Sequence, residues 1–387
     1  MWLNNVNIIG SEGLQNIQIA DGKIKHITTE KNFAANHEEI KIEFQNAIAF
    51  PGLINSHDHL DFNLFPQTRN RVYKNYAEWG KDIHCQNKEA INDVLKIPQP
   101  LRTEWGLYKN LLNGITTVVN HGEKLPVPNP FITVLQDNHS LHSVQFEKFW
   151  RFKLNNPFAK KQPYVIHAGE GTDEAAHNEI NQLIKMNFFN KSLFTVHGVA
   201  MNNEQVENFE ALIWCPASNY FLLNKTADIQ KLKTKTSILF GTDSTLTASW
   251  NLWEHLRLAR ETKMMTDEEL FETITENPAE KWRQKSIGSI SVNNNADIVI
   301  AKTDINKGFD AFYSINPEDI LLVLHQGEMR LFSEEIKNQL ISYRFPISQF
   351  SKINLNEKVK FVYGNLSALV NEILLYNPKT HFAITVE

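Results

Sequence analysis

Residues 47–60 read AIAFPGLINSHDHL, an apolar run that ends in the polar triplet His57-Asp58-His59. Short apolar runs of this kind are typical of buried strands in parallel sheets. Side chains at positions i and i+2 of a strand point to the same side, so both imidazoles are able to reach one metal ion from one strand end. The pair is weak evidence alone, and its position directly after an apolar strand gives it weight.

Three later apolar runs also end in polar residues with metal-binding or acid–base side chains. In a parallel α/β barrel the carboxyl ends of all strands open onto one face, so residues that are distant in sequence meet there. Each of these residues alone also fits a hydrogen-bonded core histidine or a capping aspartate, but four matching strand ends favour a functional site. The three runs are Tyr164–Ile166 before His167-Ala168-Gly169-Glu170, Leu193–Val196 before His197-Gly198-Val199, and Ile238–Phe240 before Gly241-Thr242-Asp243-Ser244.

The middle of the chain has the sequence pattern of an α/β domain. From Phe50 to about Lys285, short apolar runs alternate with polar stretches that are able to form covering helices. Helices are predicted over Trp253–Arg260 and Thr266–Glu276, the second with a capping box between Thr266 and Glu269. We therefore predict an α/β fold in which residues 51–285 form a (β/α)8 TIM-like barrel, an expectation that includes a distorted barrel.

Both ends of the chain carry β patterns instead. An isolated hairpin is marginal in water, so the two end segments are expected to join in one structure. We predict a small composite β-sandwich domain built from residues 1–50 and 286–387. The patterns behind this prediction are a hairpin around Asp21-Gly22, strands over Gly288–Val292 and Ala296–Ile300, and a second hairpin over Leu321–Phe332.

Composition excludes several other classes of protein. The chain has 387 residues, 42% hydrophobic and 21% charged, which is the usual mix of a globular protein. A net charge of −5 without long runs of one sign argues against a nucleic-acid partner. Only two cysteines occur, which predicts a cytoplasmic protein without a disulfide framework. No run of 18 apolar residues is present, so a membrane span and a secretion signal are not expected.

The strand ends, taken together, resemble those of the metal-dependent amidohydrolase superfamily. Residues 50–60 look like its first-strand signature, and His167, His197 and Asp243 look like its residues at the ends of strands five, six and eight. The tail from Asn277-Pro278-Ala279 to Ala296-Asp297-Ile298-Val299-Ile300 is similar to the return of the family into its β-sandwich. His167-x-x-Glu170 and Cys215-Pro216-Ala217-Ser218-Asn219 resemble the branch that contains cytosine, guanine and adenosylhomocysteine deaminases and triazine hydrolases.

This resemblance implies a ligand set and catalytic roles. It implies one divalent ion, zinc or iron, and the chemistry of three imidazoles and one carboxylate suits such an ion. The ion would lower the pKa of a bound water and make hydroxide available at neutral pH. Glu170 would carry protons, His197 would hydrogen-bond the hydroxide or polarise the substrate, and Asp243 would also orient the nucleophile. The implied metal ligands are His57, His59, His167 and Asp243, and Asn219 resembles a residue of the branch's substrate pocket. His121 is a second candidate substrate contact, because it follows the apolar run that ends at Val119.

Spacing in the middle of the chain departs from the family pattern. Only 47 residues separate Asn120 from His167, although two further strands of an eight-stranded barrel belong there. Leu141–Phe146 is the best match for a third strand, and no persuasive fourth strand is found. Relatives with two metals use a bridging lysine after strand four, and no lysine is assignable to that place. The spacing therefore predicts a distorted barrel and favours one ion over two.

The predicted function is that of a metal-dependent hydrolase acting on carbon–nitrogen bonds other than peptide bonds. Within this class an aminohydrolase, or deaminase, is the leading hypothesis, with a small molecule as substrate. Two alternatives stay open, a binuclear cyclic amide or imide hydrolase and a relative that binds a small molecule without turning it over. Loops set specificity in such barrels, so the fold alone does not name the substrate or the oligomeric state.

Overall fold

The structure, a computed structural model, describes residues 1–30, 39–304 and 308–386. The chain begins with five short strands, and the hairpin expected around Asp21-Gly22 is present between the second and third. These strands are β1 (Trp2–Ile8), β2 (Leu14–Ala20), β3 (Lys23–Thr28), β4 (Lys41–Glu43) and β5 (Ala47–Pro51).

The barrel strands follow, and all of them pair in parallel with their neighbours. The first three form one sheet and the other five form a second sheet. The predicted α/β barrel is thus confirmed, with its strand ends on one face. The strands are β6 (Leu53–Asp58), β7 (Ile115–Asn120), β8 (Thr133–Leu135), β9 (His139–Ser143), β10 (Tyr164–Ala168), β11 (Leu193–His197), β12 (Ala211–Trp214) and β13 (Ser237–Phe240).

The barrel is distorted where the sequence spacing is short. Only residues 136–138 separate β8 from β9, too few for the crossover that normally joins parallel strands. Strand β8 pairs with β7, whereas β9 pairs with β10. The backbone N–H of Gly122, just past β7, donates to Ser140 Oγ at 2.8 Å. The chain therefore runs through β8 and β9 in the same direction without a crossover, and the two barrel sheets are separated between these two strands.

Helices cover the barrel and extend around its mouth. Asn75, Asp173, Asn251 and Thr266 cap four of them through side-chain oxygens, as is usual for these residue types. The helices are α1 (Tyr76–Gln86), α2 (Lys88–Leu95), α3 (Gln99–Leu112), α4 (Trp150–Leu154), α5 (Glu174–Met186), α6 (Asn203–Val206), α7 (Pro216–Leu223), α8 (Ile229–Leu232), α9 (Leu252–Glu261), α10 (Asp267–Glu272), α11 (Glu276–Lys281), α12 (Gly308–Tyr313), α13 (Glu334–Leu340) and α14 (Leu366–Tyr376).

Strands from both ends of the chain form a single eleven-stranded sheet beside the barrel. The N-terminal and C-terminal parts join where the fifth strand pairs antiparallel with the fourteenth, with Ala49 opposite Ile300. The sheet packs around a core of its own. The C-terminal strands are β14 (Ile298–Lys302), β15 (Ile320–His325), β16 (Glu328–Ser333), β17 (Phe350–Leu355), β18 (Lys358–Tyr363) and β19 (Thr385–Val386).

One glycine links the sheet to the barrel. Gly52 is the single residue between β5 and β6, and a Cβ at this position would lie 2.2 Å from Thr116 Oγ1 on the neighbouring strand. Only glycine leaves room here for the Thr116 side chain to pack against the backbone. Pro51-Gly52-Leu53 therefore turns the chain from the sheet into the strand that carries His57 and His59. The domain boundaries at residues 50 and 286 stay a prediction.

Three predicted elements differ from the structure. The third barrel strand is Thr133–Leu135, not Leu141–Phe146, and His139–Ser143 is the fourth. A three-residue, half-exposed strand carries too little apolar pattern to be recognised. Residues 288–292 form bends, irregular backbone and the start of a turn instead of a strand. The predicted helix from Thr266 ends at Glu272 before a second helix starts at Glu276. Its capping box with Glu269 is present as predicted. No described helix is both long and apolar enough to cross a membrane.

Candidate metal centre

The polar strand ends meet at the base of a cavity of about 580 Å³ on the carboxyl face of the barrel. Four different strands supply them, β6, β10, β11 and β13, or the residues directly after those strands. The fold therefore brings together candidate residues from positions spread over nearly 190 residues of the sequence. The predicted site residues that line the cavity are His59, His167, Glu170, His197 and Asp243.

The four predicted ligands lie at the spacing of a small coordination sphere. The Nε2 atoms of His57 and His167 are 3.2 Å apart, and Asp243 Oδ1 lies 3.8 Å from His57 Nε2 and 3.7 Å from His59 Nε2. A tetrahedral zinc site with bonds of about 2.1 Å has ligand–ligand distances of about 3.4 Å. His57, His59 and His167 form one group able to hold an ion, and His57 forms another with His197 and Asp243.

Hydrogen bonding prepares His167 to act as a ligand. Its Nδ1 lies 2.7 Å from the carbonyl oxygen of His142, at the end of β9, and must donate to it. The lone pair of the neutral ring therefore lies on Nε2, which faces His57. Burial, followed by the neighbouring imidazoles, lowers the pKa of both His57 and His167 well below the usual range. Neutral imidazoles 3.2 Å apart fit a shared cation, so these residues suit a divalent ion.

Asp243 is oriented by hydroxyl groups. Ser218 Oγ and Thr247 Oγ1 donate to its Oδ2 at 2.7 and 2.9 Å, so Oδ1 is the oxygen that faces His57 and His59. Burial raises the pKa of Asp243, but the charges of His59 and His197 and the bond from Ser218 outweigh burial, and the net pKa is lowered. The carboxylate is therefore kept ionised, as a ligand must be.

Two site residues adopt strained backbone conformations. His197 has φ +74° and Asp243 has φ +56°, both in the left-handed region that non-glycine residues seldom enter. Each such residue costs about 1–3 kcal/mol, and such strain concentrates at functional sites. The backbone N–H of Asp243 donates to the carbonyl of His57, which fixes the end of β13 against the end of β6. The strain directs both side chains into the cavity.

His197 is held in one tautomer by Asn219. The Asn219 amide group donates to Thr226 Oγ1, so its Oδ1 is the acceptor that lies 2.8 Å from His197 Nδ1. His197 therefore carries its proton on Nδ1, and burial lowers its pKa, so Nε2 is free to accept. Glu170 Oε2 lies 3.6 Å from that Nε2. Asn219, expected as a substrate contact, is fully buried on α7 and does not line the cavity.

Glu170 is a buried carboxyl group beside a second buried carboxyl group. Burial, then Asp243 and Glu179, raises the pKa of Glu170 well above the usual value. Glu179 on α5 accepts from the backbone N–H of Gly169 at 2.8 Å and from Tyr76 OH at 3.1 Å, and burial raises its pKa to about 7. Glu179 thus fixes the loop that carries Glu170, and the raised pKa suits a group that holds and releases a proton.

A buried ion pair supports the site from behind, and no pattern in the sequence indicated it. Asp58, between the two histidines of β6, points away from the cavity toward Lys109 on α3, with 3.0 Å between Nζ and Oδ2. Lys109 also donates to Thr242 Oγ1 at 3.0 Å and to the Asp243 carbonyl at 3.4 Å. Both side chains are almost fully buried. Three asparagines donate to the Asp58 carboxylate as well: Asn55, Asn63 and Asn110.

His121 lies among the ligands and not on the cavity wall. Its ring centroid is 4.4 Å from that of His167 and 5.0 Å from that of His57, and both of its nitrogens are buried without a protein partner. It does not line the cavity, where it was expected to contact substrate. Burial lowers its pKa well below the usual range, so it is a neutral ring beside the proposed metal site.

The cavity wall comes from a segment that the sequence did not single out. Helices α1 and α2, between β6 and the next barrel strand, supply Trp79, Ile83, Ile91 and Leu95. Four other large aromatic residues of the barrel do not line the cavity, Trp214, Tyr220, Trp250 and Trp253, and of these Trp214 and Trp253 are in the core. Apolar helices over a barrel mouth have the same pattern as core helices, so position alone distinguishes them. The other apolar residues of the wall are Phe62, Phe65, Phe146 and Leu246.

A family model described as the amidohydrolase family matches residues 159–355, just over half of the chain. The chain belongs to the amidohydrolase family. The matched segment includes four of the site residues, His167, Glu170, His197 and Asp243. The predicted superfamily is confirmed, and with it the prediction of a hydrolase acting on carbon–nitrogen bonds. The roles of the individual residues stay predictions.

Known relatives of this amidohydrolase match it over most of its length. The 5-methylthioadenosine/S-adenosylhomocysteine deaminase of Caldicellulosiruptor saccharolyticus is 22% identical over 381 residues, which cover 81% of this chain and 87% of the relative. An adenosine deaminase from Xanthomonas campestris, solved with bound zinc, has a TM-score of 0.69 at 14% identity and covers 89% of this chain and 96% of that chain.

The atrazine chlorohydrolase of Arthrobacter aurescens, complexed with zinc, superimposes with a TM-score of 0.64 at 16% identity and covers 89% of this chain and 99% of that chain. At these identities the structural likeness is one of fold. It supports the predicted fold class of a distorted α/β barrel with a β domain, which here is one eleven-stranded sheet where a small β-sandwich was predicted.

Proposed function

We propose that this amidohydrolase is a mononuclear, metal-dependent aminohydrolase that replaces an amino group of a small molecule with oxygen. The observation that carries the proposal is the convergence of three imidazoles, a hydroxyl-oriented carboxylate and a buried glutamate on one mostly apolar cavity. The named deaminase and hydrolase relatives support the reaction class.

His57, His59, His167 and Asp243 would hold one divalent ion, zinc or iron, and when bound this ion activates a water molecule for attack. Zinc is the first ion to test, because the adenosine deaminase and the atrazine chlorohydrolase carry it. Strand β9, the fourth of the barrel, has the sequence HSLHS and contains no lysine that would bridge a second ion.

The protein groups would share the proton transfers. Glu170 takes a proton from the attacking water as the carbon–oxygen bond forms, and then gives it to the departing nitrogen as the carbon–nitrogen bond breaks. His197 Nε2 accepts a hydrogen bond from the attacking water, because its Nδ1 proton is committed to Asn219. Asp243 orients the same water through Oδ1. Ammonia leaves, and the carbon retains the oxygen of water.

Glu170→Gln is the decisive variant. We expect it to keep the metal content and to lose roughly 10²- to 10⁴-fold in turnover, measured as ammonia release from a panel of planar amines. Asp297→Asn is the matched control, because Asp297 is a buried carboxylate that accepts from the backbone N–H of Gln326 and does not line the cavity. Turnover unchanged in Glu170→Gln would remove the proposed proton carrier.

Metal content by elemental analysis separates the alternatives. One ion per chain, lost in His59→Ala, supports the mononuclear aminohydrolase. Two ions per chain would favour the binuclear cyclic amide hydrolase, and tight ligand binding without product would favour a non-catalytic relative. A cytoplasmic location is part of the proposal, because neither the exposed Cys85 nor the buried Cys215 forms a disulfide.

A further inference from the structure

Five phenylalanine side chains are exposed on a part of the surface that the proposed catalytic function does not use. Their exposed fractions run from 56% to 93%, whereas most residues of this type are buried in folded proteins. Large exposed apolar patches mark interaction sites more often than they occur without function. We call this set the aromatic patch; it consists of Phe149, Phe152, Phe158, Phe188 and Phe189.

Two chain segments form the patch and are held together at its centre. Asn155 donates through Nδ2 to the carbonyl of Met186 at 2.7 Å and accepts through Oδ1 from the backbone N–H of Phe188 at 3.0 Å. The segment around α4 is therefore joined to the end of α5. Phe149, at φ +61°, begins α4, and its ring centroid lies 6.5 Å from that of Phe152. The backbone is anchored while the phenyl rings extend into solvent.

The same two segments are strongly basic. Residues 146–161 contain five basic side chains and one acidic side chain, Glu147, which pairs with Lys153 at 2.5 Å. Residues 185–191 contain two lysines and no acidic residue. The chain as a whole has a net charge of −5, so this surface differs in sign from the rest of the molecule. The basic residues are Lys148, Arg151, Lys153, Lys160, Lys161, Lys185 and Lys191.

Charge and shape together select the partner. A second copy of the chain is disfavoured, because a two-fold interface would set this basic surface against itself. Phe158 is 93% exposed and projects outward, which suits insertion into a soft layer better than docking in a rigid groove. Apolar rings surrounded by lysine and arginine are the pattern of proteins that lie on membranes: the rings enter the headgroup boundary and the cations attract anionic lipid.

We infer that the aromatic patch and its basic rim dock this protein reversibly on an anionic phospholipid surface. This inference concerns peripheral contact and does not depend on the proposed reaction. The net negative charge of the chain argued against a polyanionic partner. The basic rim is a local exception, because it provides a site for such a partner on this one surface.

Co-sedimentation of the full chain with lipid vesicles tests the inference. We expect binding to vesicles of phosphatidylglycerol mixed with phosphatidylcholine, weakening as salt is raised, and much weaker binding to pure phosphatidylcholine. Lys160→Gln with Lys161→Gln should reduce partitioning about 30-fold. Phe152→Ser with Phe158→Ser should reduce it by roughly 100-fold or more.

Matched controls lie outside the patch. Leu375→Ser removes a side chain that is 83% exposed on α14, and Lys263→Gln removes an exposed charge after α9. Both should bind vesicles as the unaltered chain does, and thermal unfolding should show that all variants are folded. Absence of binding to anionic vesicles, or binding that the patch variants do not change, would overturn the inference. Binding of polyglutamate but not vesicles, or a dimer that the phenylalanine variants dissociate, would reassign the surface to a protein partner and overturn it as well.

Discussion

Replacement of Lys109 by methionine tests whether the buried ion pair positions the metal ligands. Methionine has a similar length and no charge, so the change leaves the Asp58 carboxylate buried with only its asparagine donors. Removal of one partner of a buried pair costs about 3–5 kcal/mol. Lys109 also bridges to Thr242 and to the carbonyl of Asp243. The variant should therefore loosen the contact between the ends of β6 and β13, which carry three of the four proposed ligands.

Two measurements separate positioning from simple destabilisation. We expect the unfolding midpoint of Lys109→Met to fall by about 5–10 °C. We also expect metal affinity, measured by competition with a chromophoric chelator, to fall about 10- to 100-fold, the usual range for groups that orient ligands. Lys360→Met is the matched control: Lys360 is a buried lysine of the sheet domain that donates to the carbonyls of Glu318 and Ile320. It should lower stability and leave metal affinity unchanged.

The double variant Asp58→Asn with Lys109→Met removes both charges. Because the uncompensated carboxylate is then gone, it should recover a large part of the stability that Lys109→Met loses. Metal affinity at the wild-type level in Lys109→Met would refute the positioning role. If the double variant were no more stable than Lys109→Met, the lost stability could not be assigned to the uncompensated Asp58 carboxylate.

Further predictions concern the remaining groups of the site and its surroundings. Asn219→Ala removes the acceptor that holds the His197 proton on Nδ1. In steady-state kinetics it should lower kcat about 10- to 100-fold with little change in KM. An equal effect on kcat and KM would argue against a positioning role. Burial, followed by the charge of Lys109, lowers the pKa of His255 to about 4, below its unfolded value near 6.5. The unfolded chain then binds more protons as the pH falls through this window, so about 2 kcal/mol of stability should be lost between pH 7.5 and pH 5, and chemical unfolding of His255→Gln should lack this component. Removal of metal by a chelator should lower the unfolding midpoint. Zinc at about 1,000-fold above its Kd should restore about 4 kcal/mol of the free energy of unfolding. An unfolding midpoint that neither treatment changes would count against a metal site.

The convergence of the candidate ligands was predictable because its signal is local. Each candidate residue follows an apolar run, and the parallel barrel brings such positions together whatever their distance in sequence. The ends of β6, β10, β11 and β13 therefore lie where the sequence predicted. Substrate contacts were harder to predict, because Asn219 and His121 also follow strands. Asn219 points to His197, and His121 lies among the candidate ligands. A sequence pattern gives the strand end, and packing decides where the side chain points.

Residues that act from outside the strand ends leave no such signal. Lys109 lies in the last turn of an ordinary helix, and its role follows only from its ion pair with the buried Asp58, about fifty residues earlier in the sequence. The apolar pattern around Trp79 is the same as that of two helices packed against each other. Only the fold shows that these residues face the barrel mouth. The distorted third and fourth strands were visible only as a shortage of residues, because a strand of three residues has no periodicity to detect.

The strained residues show how the site combines both kinds of information. His197 and Asp243 were recognised by type and position, yet their left-handed backbones follow from bonds that only the fold supplies. Asp243 donates its backbone N–H to His57, and His197 is followed by Gly198, where a Cβ would lie 2.7 Å from Leu212. The strain is retained because the hydrogen bonds and packing around it leave no relaxed alternative. The ion pair behind β6 and the hydroxyl groups around Asp243 are therefore as much a part of the candidate metal centre as the proposed ligands. They hold the geometry that those side chains would need to bind an ion.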